Sequence, residues 1–240
     1  MSAPDTFLNG RVVVRQPETG FRAGLDAVML AAAVPDGANA LELGAGAGTA
    51  SLCLAARLTS IAITGIEIDR DLVQLANDNA AANAMQDRVR FAAANAFALP
   101  LEFKRDYDCV LINPPFHGAG QASPEPSRVR ALMDDGTLSD WLQAGLKRTI
   151  SGGTFTAILR ADRLNEALSA LPLTGVSVLP LWPKAGEPAK RILIQLRKGS
   201  GAPFRLLPGL ILHDSSGTYT PDADAILRGK ATLALGVPRL

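Results

Sequence analysis

Only two cysteines, Cys53 and Cys109, occur in 240 residues, which leaves no disulfide framework and no metal-ligand spacing. Both lie inside apolar runs, LCLA and DCVLIN, the usual setting of a buried free thiol. Long hydrophobic runs are also lacking: no unbroken apolar stretch reaches the ~20 residues that a membrane-crossing helix needs. The opening MSAPDTFLNG has no basic stretch followed by an apolar one, so it does not read as a secretory signal. Nor is there an excess of one charge. Lys and Arg number 24 against 23 Asp and Glu, a net +1, so the whole-molecule balance argues neither for nor against nucleic acid. These absences lead us to expect a soluble, reduced, cytoplasmic protein with no membrane partner and no bound metal. Its oligomeric state is not legible.

What is present is a chain that is 48% apolar, enough to bury one sizeable core. Strand and helix patterns alternate: a helix over 25–34, strand 39–43, helix 49–58, strand 61–68, helix 71–85 and strand 88–92. Strand 107–112, helix 138–150, strand 154–159, helix 162–171 and strands 176–181 and 191–197 follow. A further strand over 209–213 and a short helix over 222–228 close the chain. Such alternation predicts an α/β fold, a mostly parallel seven-stranded sheet with helices on both faces. We expect one domain over 1–240, with an extension over 1–24, a catalytic core over 25–200 and a second extension over 201–240.

The first chemical motif is ELGAGAG at 42–48. Ligands of open α/β sheets bind beyond the carboxyl ends of the strands, where Gly44, Ala45, Gly46 and Gly48 form a glycine-rich turn after the first strand. A dinucleotide-binding loop needs GxGxxG. Here Thr49 takes the last glycine's place and Glu42 stands just before the first. A carboxylate repels a pyrophosphate but attracts the amino group of a cationic sulfonium amino acid, which points to S-adenosylmethionine. Glu67 and Ile68, ending the second strand, are placed to meet ribose hydroxyls, and Asn95 and Ala96 to meet the adenine edge. The bland alternatives are a tight strand-to-helix connection for the loop and an ordinary turn asparagine for Asn95.

The second motif is the strand DCVLI running into Asn113-Pro114-Pro115-Phe116. Two prolines stiffen the backbone and remove two donors, so acceptors converge where the strand ends. An amide or exocyclic nitrogen is a poor nucleophile because its lone pair is delocalised. The Asn113 oxygen and the Pro114 carbonyl can each accept one N–H, which aims the lone pair at a methyl carbon, and Asn113 is also a candidate contact to the cofactor. Catalysis is then placement and polarisation, with Phe116 stacking on a planar base.

Together these motifs resemble those of the Rossmann-like class I methyltransferases with an (N/D)PP(Y/F) signature, which methylate planar amide or amino nitrogens. The likeness runs over about 21–227. Within that class the chain is most similar to the bacterial tRNA(Val) adenine-N6 methyltransferases. FRAGLDAVMLA at 21–31 with Asp26, the strand over 189–199 and the tail LILHDSSGTYTPDADAIL at 210–227 all look like that family's segments. The resemblance implies methyl transfer to adenine N6 in tRNA. Asn95 and Phe116 depart from the family's usual aspartate and tyrosine, and the loop HGAGQASPEPSRVRALMDD lacks its usual stretch. NPPFH also matches rRNA guanine-N2 methyltransferases, and NPP is shared with the release-factor glutamine methyltransferases, whose N-terminal helical domain has no room here. His117 reads as a solvated loop residue and His213 as structural. A scaffold that keeps the cofactor pocket without chemistry is the non-enzymatic alternative.

Charge is polarised along the chain. Lys184, Lys190, Arg191, Arg197, Lys198 and Arg205 face only Glu187 within 182–205, a stretch suited to phosphates or to a lysine-guarded edge strand. Arg128 and Arg130 add positive charge after NPPF. We take Arg128, Arg130, Lys184, Lys190 and Arg191 as candidate RNA contacts.

Overall fold

The computed structural model describes residues 3–19, 22–115 and 136–236. Phe116, His117, Arg128 and Arg130 lie outside these residues.

The first core strand β3 (Asn39–Leu43) follows an N-terminal hairpin, β1 (Asp5–Phe7) and β2 (Val12–Val14), and a helix α1 (Leu25–Ala33). Then come α2 (Thr49–Arg57), β4 (Ala62–Glu67), α3 (Arg70–Ala82), β5 (Val89–Ala93) and β6 (Tyr107–Ile112). The second half holds α4 (Leu138–Arg148), β7 (Thr149–Arg160), α5 (Leu164–Ala170), β8 (Val176–Trp182) and β9 (Arg191–Arg197). Two very short strands, β10 (Arg205–Leu206) and β11 (Leu210–Ile211), and α6 (Pro221–Leu227) end the chain.

The expected seven strands are present in the order β5-β4-β3-β6-β7-β9-β8, and β10 and β11 extend the sheet along the outer side of β8. All neighbours pair parallel except β9, which is antiparallel to both β7 and β8. Connections lead in opposite directions from β3, so the β3/β6 boundary is the switch point where a ligand crevice opens. The strands β3, β6, β8 and β9 are apolar and buried along almost their whole length, as suits a sheet covered on both faces. One face carries a core from α1, α2, α3 and α6, the other a core from α4 and α5.

Three departures from the sequence reading have local causes. The hairpin β1–β2, for which the sequence predicts no element, is tied to the core because α3 clamps it with two asparagines. Asn79 accepts from Arg15 N and donates to Arg15 O, both at 2.9 Å, and Asn83 brackets Val13 the same way at 2.9 and 2.7 Å. Helix α4 stops two residues earlier than expected, and β7 starts directly at Thr149. There the β6–β7 register shifts between Tyr107 and Cys109: residues 150–153 stand opposite Asp108 alone, and the three extra residues are taken up as an enlarged bulge that includes Gly152 and Gly153. Finally, the tail 205–212 joins the sheet: Leu207 N and Leu212 N donate to Val178 O and Trp182 O, both at 2.8 Å.

One ring packs under both β4 and the end of the glycine loop. Phe91 of β5 faces Gly65 of β4, and a Cβ on Gly65 would lie 2.2 Å from its ring. The same ring would meet a Cβ on Gly48 at 2.6 Å. Gly65→Ala should therefore lower the unfolding free energy by about 1–3 kcal/mol through overpacking. Because Phe91 is the obstacle, adding Phe91→Leu should recover part of that loss. Urea unfolding of the two single variants and the double variant measures the coupling; purely additive losses would show that Phe91 is not what Gly65 accommodates.

Candidate active site

The loop after β3 turns back on the end of β4. Gly44 N and Ala45 N both donate to Ile66 O, at 2.8 and 3.0 Å, so the loop is pinned over the neighbouring strand. Gly46 has φ +54 and a Cβ there would meet nothing within 4 Å: open space lies beside a left-handed backbone that only glycine adopts cheaply. Gly48 is the N-cap of α2 and, with φ +84, brings no side chain to cap it.

Glu42 does that instead. From the last turn of β3 its Oε2 accepts from Ser51 N at 3.0 Å and from Ser51 Oγ at 2.5 Å, so the carboxyl group caps the third position of α2. A helix N-terminus favours a carboxylate, yet Glu42 is only 2% exposed. Burial outweighs the Ser51 hydrogen bonds and, with a smaller push from Glu67, lifts its pKa from 4.5 to about 8. Glu42 thus stands in the loop's floor, under the glycines.

Glu67 forms the rim. Its Oε2 accepts from Gly46 N at 2.9 Å, and its Oε1 accepts from Ile68 N and Asp69 N at 2.8 and 3.1 Å. A carboxylate offers about four acceptor directions, so one on Oε2 is left for a ligand hydroxyl. Beyond β5, Asn95 is exposed and Ala96 half-buried. Asn95 Oδ1 accepts from Phe97 N at 2.8 Å and closes its own turn, which leaves its amide as a donor. Ile68 and Phe97 are 40% and 38% exposed beside these polar groups, two apolar surfaces suited to a planar ring.

The second motif sits one strand away. Ile112 pairs with Leu43 across β3 and β6, so Asn113 follows β6 beside the start of the glycine loop. Its Oδ1 is buried and, among the described residues, has no hydrogen-bond partner. A buried, unpaired acceptor costs about 1–3 kcal/mol, and such an atom at a crevice marks a place for a donor. Pro114 is buried and Pro115 exposed.

Two residues of this site escaped the sequence reading. Trp141, on α4, reaches over the glycine loop, where a Cβ on Gly44 would lie 3.1 Å from its ring. Its ring meets Phe97 edge to face, with centroids 5.1 Å apart and planes at 73°. Helix α4 is set for this by a capping box in which Thr137 and Asp140 bond reciprocally. The only hint in sequence was two aromatics in a chain with 5% aromatic content.

The basic stretch divides, because β9 crosses the whole sheet. Arg191 lies at the carboxyl rim opposite Arg160 and Leu181, where it pairs with Asp26 at 2.8 Å. Lys184 and Lys190 belong to the same rim, in the β8–β9 hairpin. Arg197, Lys198 and Arg205 lie at the opposite rim. There Lys198 Nζ donates to Leu146 O and Thr149 O at 3.0 and 2.6 Å, the favoured place for a cation at a helix C-terminus, and Arg205 bonds Gly236 O at 2.6 Å. Cys53 and Cys109 are buried free thiols, and burial pushes both pKa values up, that of Cys109 to about 12. Among the described residues no cluster of metal-binding side chains occurs and no helix is long and apolar enough to cross a membrane.

A glycine loop with open backbone, a rim carboxylate and an unpaired buried acceptor at the switch point define a class I methyltransferase that uses S-adenosylmethionine. The profile of the family described as methyltransferase small domain matches residues 24–134. Among similar proteins, a tRNA1(Val) (adenine(37)-N6)-methyltransferase of Porphyromonas gingivalis is 30% identical over 240 aligned residues, covering 91% of each chain. The protein so named in Aeromonas hydrophila is 28% identical and covers 83% of this chain and 85% of its own. The crystal structure of an Agrobacterium tumefaciens protein described as a predicted O-methyltransferase superposes with TM-score 0.74 at 26% identity, covering 88% of this chain and all of that one. The chain belongs to the family of the bacterial tRNA1(Val) (adenine(37)-N6)-methyltransferases, and it is an S-adenosylmethionine-dependent N-methyltransferase.

Proposed function

We propose that this enzyme methylates an exocyclic amino nitrogen of an RNA base, adenine N6 in a tRNA, in the cytoplasm. The observation that carries this reading is the buried Asn113 Oδ1 at the end of β6, which has no partner among the described residues and lies one strand from the glycine loop. An amino group brings the donors that atom lacks. A hydroxyl substrate brings one donor and needs a base to remove it, whereas an amino group needs two acceptors and no strong base. The relatives' names, with their tRNA adenine, agree with that preference.

The cofactor's fit is supported by the same geometry. Gly44, Ala45, Gly46 and Gly48 supply backbone that a ligand approaches closely. Glu67 Oε2 has an acceptor direction left for a ribose hydroxyl. Ile68, Ala96 and the donor end of Asn95 form an edge for adenine, with Phe97 as a further wall. Glu42, below the loop, supplies negative charge toward a cationic amino group once it loses its proton. When bound, S-adenosylmethionine supplies an electrophilic methyl group on a sulfonium whose departure leaves a neutral thioether. Asn113 Oδ1 and the Pro114 carbonyl accept the two N–H groups of the base, hold the nitrogen pyramidal and aim its lone pair. After transfer the methylated nitrogen is cationic and releases one proton to solvent water, its remaining N–H staying bonded to the acceptor pair. Pro115 stiffens that turn and Phe116 stacks on the base.

Label transfer from S-adenosylmethionine to unmodified tRNA, rRNA and a release factor tests the reading. We expect label in tRNA, recovered as N6-methyladenosine after nuclease digestion. Label in rRNA guanine or in protein glutamine would replace the substrate proposed here.

A further inference from the structure

The tail that joins the sheet ends in a rigid polar loop. Leu212 N and His213 N donate to Trp182 O and Pro183 O at 2.8 and 3.0 Å, and Thr220 N returns to Leu212 O at 2.9 Å. Asp214 Oδ1 gathers Ser216 N, Ser216 Oγ and Thr218 N at 2.9, 2.6 and 3.1 Å. Across this loop the His213 and Tyr219 rings stack, with centroids 4.6 Å apart and planes at 26°. His213 Nδ1 lies 3.2 Å from the Pro183 carbonyl, which only accepts, so Nδ1 carries the proton and the ring is held in place. His213 is half-buried, but Tyr219 is 41% exposed.

The loop's position follows from topology. Strand β11 runs parallel to β8 with Ile211 opposite Trp182, so the loop emerges at the carboxyl rim, the rim of Asn113. Four strand spacings separate β6 from β11 in the order β6-β7-β9-β8-β11, about 19 Å at ~4.8 Å each. Between them lies the β8–β9 hairpin with Lys184 and Lys190. At that rim Arg160, Arg163 and Arg191 pair with Asp162, Glu166 and Asp26. Among the described residues Lys184 and Lys190 have no such carboxylate partner, and Glu187 is the one acid of their hairpin.

We propose that the His213–Tyr219 stack, with Lys184 and Lys190, is a docking platform for the RNA strand that flanks the target base. A preordered aromatic face with unpaired cations beside it is what single-stranded nucleic acid recognises: bases stack on the ring and phosphates meet the lysines. The platform is distinct from the Asn113 crevice and binds RNA without touching the reacting atoms. This inference rests on the RNA reading above.

Steady-state methylation of unmodified tRNA tests it. Tyr219→Ala should raise the KM for tRNA by roughly 5- to 150-fold, the range that loss of one stacked base gives, with kcat within about twofold. Tyr219→Phe, which keeps the ring, should restore wild-type KM, and the S-adenosylmethionine Kd and Tm of both variants should match the parent. Lys184→Ala with Lys190→Ala should flatten the salt dependence of tRNA binding by about 1.4 in log–log slope, ~0.7 per phosphate contact. Tyr219→Ala with an unchanged tRNA KM in an enzyme that methylates tRNA would overturn the platform alone. Wild-type label in protein and not in RNA would overturn both the RNA reading and the platform.

Discussion

Asn113→Ala is expected to lower kcat by about 100- to 1000-fold, the usual loss when one preorganised polar group is removed from a transition state. The S-adenosylmethionine Kd should stay within about threefold, because the loop that cradles the cofactor belongs to β3 and β4. The reason lies in the reaction's electrostatics. The leaving group is a neutral thioether, so little is gained from acid catalysis, and the amine's conjugation with the ring is the obstacle. An acceptor that binds N–H more tightly as positive charge develops on nitrogen stabilises the transition state over the ground state. Asn113 Oδ1 is such an acceptor, buried and with no other partner.

The same atom makes an opposite prediction for stability. An unpaired buried oxygen costs the folded protein about 1–3 kcal/mol, so deleting it should leave unfolding free energy unchanged or raise it. A variant that gains stability while losing turnover is the pattern of a site strained for function. Asn113→Asp should fall between, since it keeps the acceptor geometry but adds charge. Single-turnover label transfer, calorimetric cofactor titration and urea unfolding on the three proteins measure each part. Full turnover in Asn113→Ala would end the orienting role, and a loss of stability would mean that Oδ1 has a structural partner.

How far the sequence reaches depends on the range of the interaction. Most strands from β3 to β9 were legible because each is a short, mainly apolar run between turn or helix signals, as in NALEL, YDCVLI and RILIQLR, and the two motifs were legible because each is contiguous. The hairpin β1–β2 was not. Its two three-residue strands are held by Asn79 and Asn83, which bond residues 64 and 70 positions away. The basic stretch over 182–205 read as one patch, although a seven-residue strand carries Arg191 and Arg197 to opposite rims. Trp141, which lies over Gly44, meets Phe97 from 44 positions away, and no local pattern announces such a contact. The sequence places Glu42 beside the ligand loop but does not announce its hydrogen bonds to Ser51, nine positions on. Its double position, in the loop's floor and at the head of α2, is visible only in the fold.

That double position makes Glu42→Gln the variant with the largest pH effect. Because burial raises the folded pKa of Glu42 to about 8 from 4.5, its contribution to stability is fully present below pH 4.5. It falls as pH rises and is lost once pH passes the folded value. A shift of that size corresponds to on the order of 3–5 kcal/mol across the window. Glutamine keeps an oxygen for Ser51 N and does not titrate. Near pH 5 the variant should match the parent, and by pH 9 it should be the more stable protein by most of that amount, as read from urea midpoints across the range. Cofactor binding should show the converse. A cationic amino group near Glu42 lowers its pKa, so the parent should release close to one proton on binding S-adenosylmethionine at pH 7, and Glu42→Gln none. Titration calorimetry in buffers of different ionisation enthalpy reads this directly. Proton release that persists in Glu42→Gln would place the coupled group elsewhere, and parallel stability curves for the two proteins would show that Glu42 is already ionised in the folded state.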